Sequence, residues 1–98
     1  MQSRKEQIFK KLTSAGIPEK TIISGQFVKV VDRLIADRKF DDYKSFAEYY
    51  GYAKSLMAHI RSGRQDVPVE LLYEVVLDWK INPGFVFALT TQVYQNQV

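Results

Sequence analysis

The feature that most constrains this chain is the glycine at position 51. In FAEYYGYAKSLMAHIRSGR, residues 46–64, apolar residues keep helical spacing on both sides of it. A glycine inside a helix costs about 1 kcal/mol against alanine, so one continuous helix is a poor use of this pattern. Two short helices meeting at a turn use it well. The joint needs a residue that accepts positive φ, which Gly51 does without steric cost. Four residues earlier, where the two helices approach closely, a small side chain is needed, and Ala47 stands there. Phe46 and Tyr50 before the glycine, then Tyr52, Met57 and Ile60 after it, fill the inward apolar positions. The pattern predicts a helix-turn-helix hinged at Gly51, with Phe46, Ala47, Met57 and Ile60 as its structural residues.

The flanking sequence is helical as well. Ile8, Phe9 and Leu12 form a short amphipathic stretch that ends at Ala15-Gly16-Ile17-Pro18, and EKTIISGQ resembles a linker. Phe27, Val30, Val31, Leu34 and Ile35 recur at steps of three and four, which predicts a helix of about three turns with Ser24 or Gly25 near its cap. Asp41-Asp42 supply a turn and an N-cap for the helix that carries Phe46, Ala47 and Tyr50. The helix after Gly51 is predicted over 53–62 and is closed by Gly63. The next opens at Val67-Pro68, with Pro in its first turn, and buries Leu71, Leu72, Val75, Val76 and Trp79. Asn82-Pro83 start a last helix with Phe85, Val86 and Leu89. Polar and apolar residues nowhere alternate for long, so strands are not expected. The expected fold is all-α: a compact five-helix domain over 27–89, an N-terminal extension over 1–26 with an extra helical segment, and a polar, loosely attached tail over 90–98.

Composition narrows the chemistry. With 98 residues, 46% of them hydrophobic and 26% charged, the chain suits one small folded domain. It has no cysteine, which excludes disulfides and thiolate metal sites and is compatible with a reducing compartment. No apolar run reaches membrane-spanning length and the first residues show no signal-peptide pattern. A cytoplasmic protein with no membrane partner is expected, nucleoid-associated when bound to DNA. The net charge of +3 leans only mildly toward an acidic partner. Its distribution says more. Between Glu48 and Asp66 there is no acid, while Lys54, Arg61 and Arg64 are basic and His59 lies among them. Arg4, Lys5, Lys10 and Lys11 oppose only Glu6 near the start, whereas Asp66 to Asp78 carries four acids and no base.

Projected at 100° per residue from Lys54, Met57 and Ile60 fall at about 300° and 240°, the inner side of the third helix. Lys54, Ala58, Ser62, Ser55 and His59 fall between about 0° and 140°, Arg61 lies on a flank, and Leu56 stands near 200° beside the core. The outer face is small, polar, positive and without carboxylates. Such a face can enter a major groove, where Ser, Lys and His can reach base edges and Ala58 can approach a thymine methyl.

At this point SFAEYYGYAKSLMAHIRSGR, VPVELL and INPGFVFAL together resemble the lambda-repressor-like DNA-binding domain family, the Cro and phage-repressor type. The likeness covers 27–89, about two-thirds of the chain, in the order helix, glycine turn, recognition helix, Gly-basic loop, Pro-started helix, Asn-started helix. The second half of a full phage repressor has no counterpart in the sequence, and Leu56 stands where the family often has a polar residue. The resemblance implies a transcriptional regulator, a repressor in the first instance, that binds a double-stranded DNA operator as a homodimer across a palindrome. It implies that Lys54, Ser55, Ala58 and His59 read bases, and that Tyr43, Lys44, Ser62 and Arg64, with Arg61 on the flank, meet the phosphate backbone.

Other functions fit less well. His59 is the single histidine and has neither a partner for acid–base work nor companions at metal-ligand spacing. Asp41-Asp42 are explained by capping, and no phosphate loop is present. The chain is therefore not expected to be an enzyme or to need a cofactor or metal. The alternative is a protein-interaction helix-turn-helix, such as the antitoxin of a toxin–antitoxin pair. On that reading, 1–26 and Leu56 offer a protein partner its surface.

Overall fold

The computed structural model describes residues 19–95. The Ile8–Leu12 stretch and the last three residues lie outside the described residues. Among the described residues five helices follow one another: α1 (Glu19–Ala36), α2 (Tyr43–Tyr49), α3 (Leu56–Arg61), α4 (Val69–Trp79) and α5 (Pro83–Val86). No strand occurs among the described residues, only an isolated antiparallel bridge between Ile81 and Tyr94. The all-α expectation holds. No described helix is long and apolar enough to cross a membrane.

α1 is the central rod, and α2, α3 and α5 all pack against it. Its buried row is Phe27, Val30, Val31 and Leu34, spaced as one helical face requires. Around it close Phe46 and Ala47 of α2, Leu56, Met57 and Ile60 of α3, Leu71 and Val75 of α4, and Phe85 and Val86 of α5. The expected organisation needs five corrections here. EKTIISGQ is not a linker, because α1 starts at Glu19 and runs through it, so a boundary at 26/27 falls inside a helix. Ser24 and Gly25 are helix interior rather than cap. Ser24 is buried, and its hydroxyl accepts from the Val67 N–H at 3.1 Å while donating to Asp66 at 3.2 Å. These long-range bonds hold the α3–α4 connection against α1 and outweigh the weak helix propensity of Ser and Gly.

The tail is the third correction. Val93 is buried, the Asn82 N–H donates to the Val93 carbonyl at 2.7 Å, and the Gln95 N–H donates to the Lys80 carbonyl at 2.9 Å. Tyr94 donates its hydroxyl to Asp37 at the end of α1, and the Arg33 guanidinium stands 5.2 Å from the Tyr94 ring centre. Residues 90–95 are thus pinned across the molecule rather than loosely attached.

One device ends every helix. After α2 the Gly51 N–H donates to Glu48 and the Tyr52 N–H to Ala47; after α3 the Gly63 N–H donates to Ile60 and the Arg64 N–H to His59. These are the paired bonds of a Schellman motif, with the glycine at φ +80° in both cases. α1, α4 and α5 turn the same way without glycine, through Arg38, Lys80 and Ala88 at φ 62°, 52° and 60°. The N-termini are less uniform. Asp42 accepts from the Ser45 N–H at 2.8 Å, and Asn82 from the Gly84 N–H at 2.9 Å. Pro68 is the cap of α4 rather than part of its first turn, and α5 ends at Val86, before Leu89.

Candidate nucleic-acid interface

α2, the connection over 50–55 and α3 form the corner that carries the candidate residues. Ala47 is fully buried where the helices converge, and its carbonyl accepts the Tyr52 N–H at 2.9 Å. A Cβ at Gly51 would meet nothing within 4 Å, so what position 51 demands is a backbone conformation and not empty space. Behind the corner lies an aromatic cluster. The Phe40 ring sits 5.2 Å from Phe46, 5.4 Å from Tyr49 and 5.5 Å from Trp79 in edge-to-face contacts. Tyr50 donates to Asp78 and accepts from the Trp79 indole N–H, both at 2.9 Å, tying the end of α2 to the end of α4. Burial and the bond to Asp78 hold the Tyr50 phenol well above its ordinary value. Phe40 and Ile81 are core residues with no periodic pattern around them to reveal it.

α3 is shorter than the expected 53–62. Ala53, Lys54 and Ser55 form a turn in which the Leu56 N–H donates to the Ala53 carbonyl at 3.0 Å, and the helix proper is six residues long. Residues 52–55 therefore carry the chain from Gly51 to the start of α3. Leu56, Met57 and Ile60 are then all buried. Leu56 is therefore core and offers no partner a surface. Lys54, Ser55 and Ala58 are exposed and His59 is half-buried. Lys54 and Ser55 precede the helix, while Ala58 and His59 lie on it, so the four candidates do not share the one helical face expected of them.

Among the backbone candidates, Lys44, Arg61, Ser62 and Arg64 are exposed. The Ser62 hydroxyl donates to the His59 carbonyl at 3.2 Å, the same oxygen that accepts from Arg64. Tyr43 is engaged. Its hydroxyl donates to Asp32 on α1, and the Arg61 guanidinium stands 5.6 Å from its ring centre. Burial and the Asp32 carboxylate raise the Tyr43 phenol, while Arg61 pulls it down. Tyr43 and Arg61 thus become neighbours from different helices, and Asp32 brings a carboxylate to the edge of a region whose own sequence has none. A second acid, Asp66, lines a cleft of about 430 Å³ with Lys29, Arg61 and Gly63. The acid-free run is real along the chain, but in space its borders are acidic.

No protein-family model, curated protein or solved structure matches this chain.

Proposed function

We propose that the protein is a sequence-specific, double-stranded DNA-binding regulator of transcription, of the lambda-repressor-like helix-turn-helix type, acting as a homodimer on a palindromic operator. The observation that carries the reading is the exposed side of the corner: Lys54, Ser55, Ala58 and Ser62, with Arg61 and Arg64 beside them and no carboxylate within 49–65. That side is held by two Schellman motifs and a buried apolar underside, which gives it the rigidity that base readout needs. A short α3 enters the groove by its leading end, so Lys54 and Ser55 meet base edges first and Ala58 and His59 follow. Lys44, Arg61 and Arg64 fit phosphate contacts that set register, and Tyr43 serves by holding Arg61 in place.

The test is selection from a random duplex library at two salt concentrations, followed by sequencing. An enriched palindrome supports the reading and gives the half-site spacing. Lys54→Ala then loses specific binding more than non-specific binding if Lys54 reads a base. If it meets only phosphate, both fall together and the salt slope becomes shallower by about one unit. Ala58→Asp, which puts a carboxylate on the exposed side without touching the core, abolishes selection. No enrichment from folded protein at either salt overturns the reading and turns attention to a protein partner.

A further inference from the structure

α1 carries a glycine that its fold does not require. Gly25 stands in the helix interior, where glycine is weaker than alanine. It is not among the residues of positive φ, and a Cβ there would meet nothing within 4 Å. Neither backbone conformation nor packing therefore explains the missing side chain. What Gly25 does border is the cleft of about 430 Å³ between α1 and the end of α3, where Val28 and Ile60 supply apolar wall. Lys29, one turn further along α1, lines the same cleft, as do Arg61 and Asp66.

The charges in this cleft are held apart. The Ser24 hydroxyl donates to Asp66 at 3.2 Å, which fixes that carboxylate beside the start of the cleft on α1. Arg61 is held at the other end. Its guanidinium stands 5.6 Å from the centre of the Tyr43 ring, and the Tyr43 hydroxyl donates to Asp32. From Ser24 to Asp32 is about 12 Å along α1, and Lys29 lies between them. Among the described residues the only ion pair is Arg33–Asp37, so neither Lys29 nor Arg61 pairs with Asp66 across the cleft.

We propose that this cleft binds a small zwitterionic molecule, with its carboxylate or phosphate between Lys29 and Arg61 and its ammonium group at Asp66. The volume falls in the range of small-molecule sites, and the Val28–Ile60 wall suits a short aliphatic spacer between the two charged ends. Lys29 and Arg61 give the anionic end charge-assisted hydrogen bonds, which Arg can make in pairs. A DNA phosphate would satisfy these two cations alone, but the Asp66 carboxylate repels it. An ammonium group turns the same carboxylate into a partner. The missing side chain at Gly25 leaves the ligand its room against α1. The site goes beyond the DNA-binding reading and does not depend on it.

The test is a titration of isotope-labelled full-length protein without DNA, following the Gly25 and Gly63 amide shifts by NMR at constant ionic strength. The probes are β-alanine, γ-aminobutyrate, δ-aminovalerate and ε-aminocaproate, with phosphoethanolamine for the phosphate. At least one of them saturates both shifts below about 10 mM. The matching molecule without the ammonium group, or without the anionic group, binds at least about ten-fold more weakly. Lys29→Gln weakens the best probe about ten-fold. Asp66→Asn, which keeps an oxygen for Ser24, removes the advantage of the ammonium group. Gly25→Leu fills the cleft and abolishes binding while the melting temperature stays at or above that of the parent, so the loss is not unfolding. The proposal is overturned if no probe saturates the shifts up to about 50 mM. It is equally overturned if the singly charged analogues bind as well as the zwitterions, or if Gly25→Leu binds as the parent does.

Discussion

Exchanging glycine and a side chain at three positions tests the account of the corner through the sign of the effect. At Gly51, φ is +80° and a Cβ would meet nothing within 4 Å, so Gly51→Ala isolates the cost of the left-handed conformation. For an L-residue that is about 1–2 kcal/mol, set against a smaller gain from restricting the unfolded chain. The net expectation is a loss of about 1 kcal/mol. Gly25 lies inside α1, and its Cβ would likewise meet nothing within 4 Å. The same substitution there follows helix propensity and gains about 0.5–1 kcal/mol. Lys80 occupies the position of Gly51 at the end of α4, with φ 52°, so Lys80→Gly recovers about 1 kcal/mol. Urea unfolding followed by circular dichroism measures all three. At about 4–8 °C per kcal/mol for a domain of this size, the melting temperatures of Gly51→Ala and Gly25→Ala separate by at least about 6 °C. Equal signs for the two alanine variants would refute the argument, because the chemical change is identical and only the backbone conformation differs.

Three further outcomes follow from the geometry. Ser24→Ala leaves the Val67 N–H without its buried acceptor and costs about 1–3 kcal/mol in urea unfolding; a neutral result removes the α1 tie to the α3–α4 connection. The bonds from Ser45 hold the Asp42 carboxyl below its ordinary value. The folded value lies under the unfolded one, so the stabilisation is complete above about pH 4 and is lost as pH falls through the folded value; Asp42→Asn, which cannot titrate, flattens that part of a stability–pH profile. Val93→Asp puts an unpaired charge into the buried end of the tail and costs about 2 kcal/mol or more, whereas Thr91→Asp, at an exposed neighbour, changes melting little.

Much of the corner was legible residue by residue because local rules govern it. A glycine between two amphipathic runs, an Asp three residues before the amide it caps and a small residue at the crossing each act within a few positions of chain. Periodicity likewise marked Phe27, Val30, Val31 and Leu34. What local rules missed were residues whose roles depend on distant partners. Ser24 has the composition of a cap and is a buried tie because Val67 lies beside it. Lys54 and Ser55 have helical spacing but belong to the turn that the Leu56 N–H closes on the Ala53 carbonyl. Leu56, ambiguous at 200° on a projected wheel, is buried because α3 packs against both α1 and α2.

By itself, the sequence determined the helical class, the placement of the turn at Gly51 and the sign of charge along each segment. These depend on backbone propensity and on residue order, which packing does not alter. Only the tertiary structure decided where the charges stand relative to one another. It set Asp32 beside Tyr43 and Arg61, and Asp66 beside Ser24. It also left the Val69–Tyr73–Leu77 row facing outward while Leu71 and Val75 turned in. Which face of an amphipathic helix is buried, and which acid borders a basic surface, follows from packing several helices around one rod. Spacing along a single helix does not contain that information.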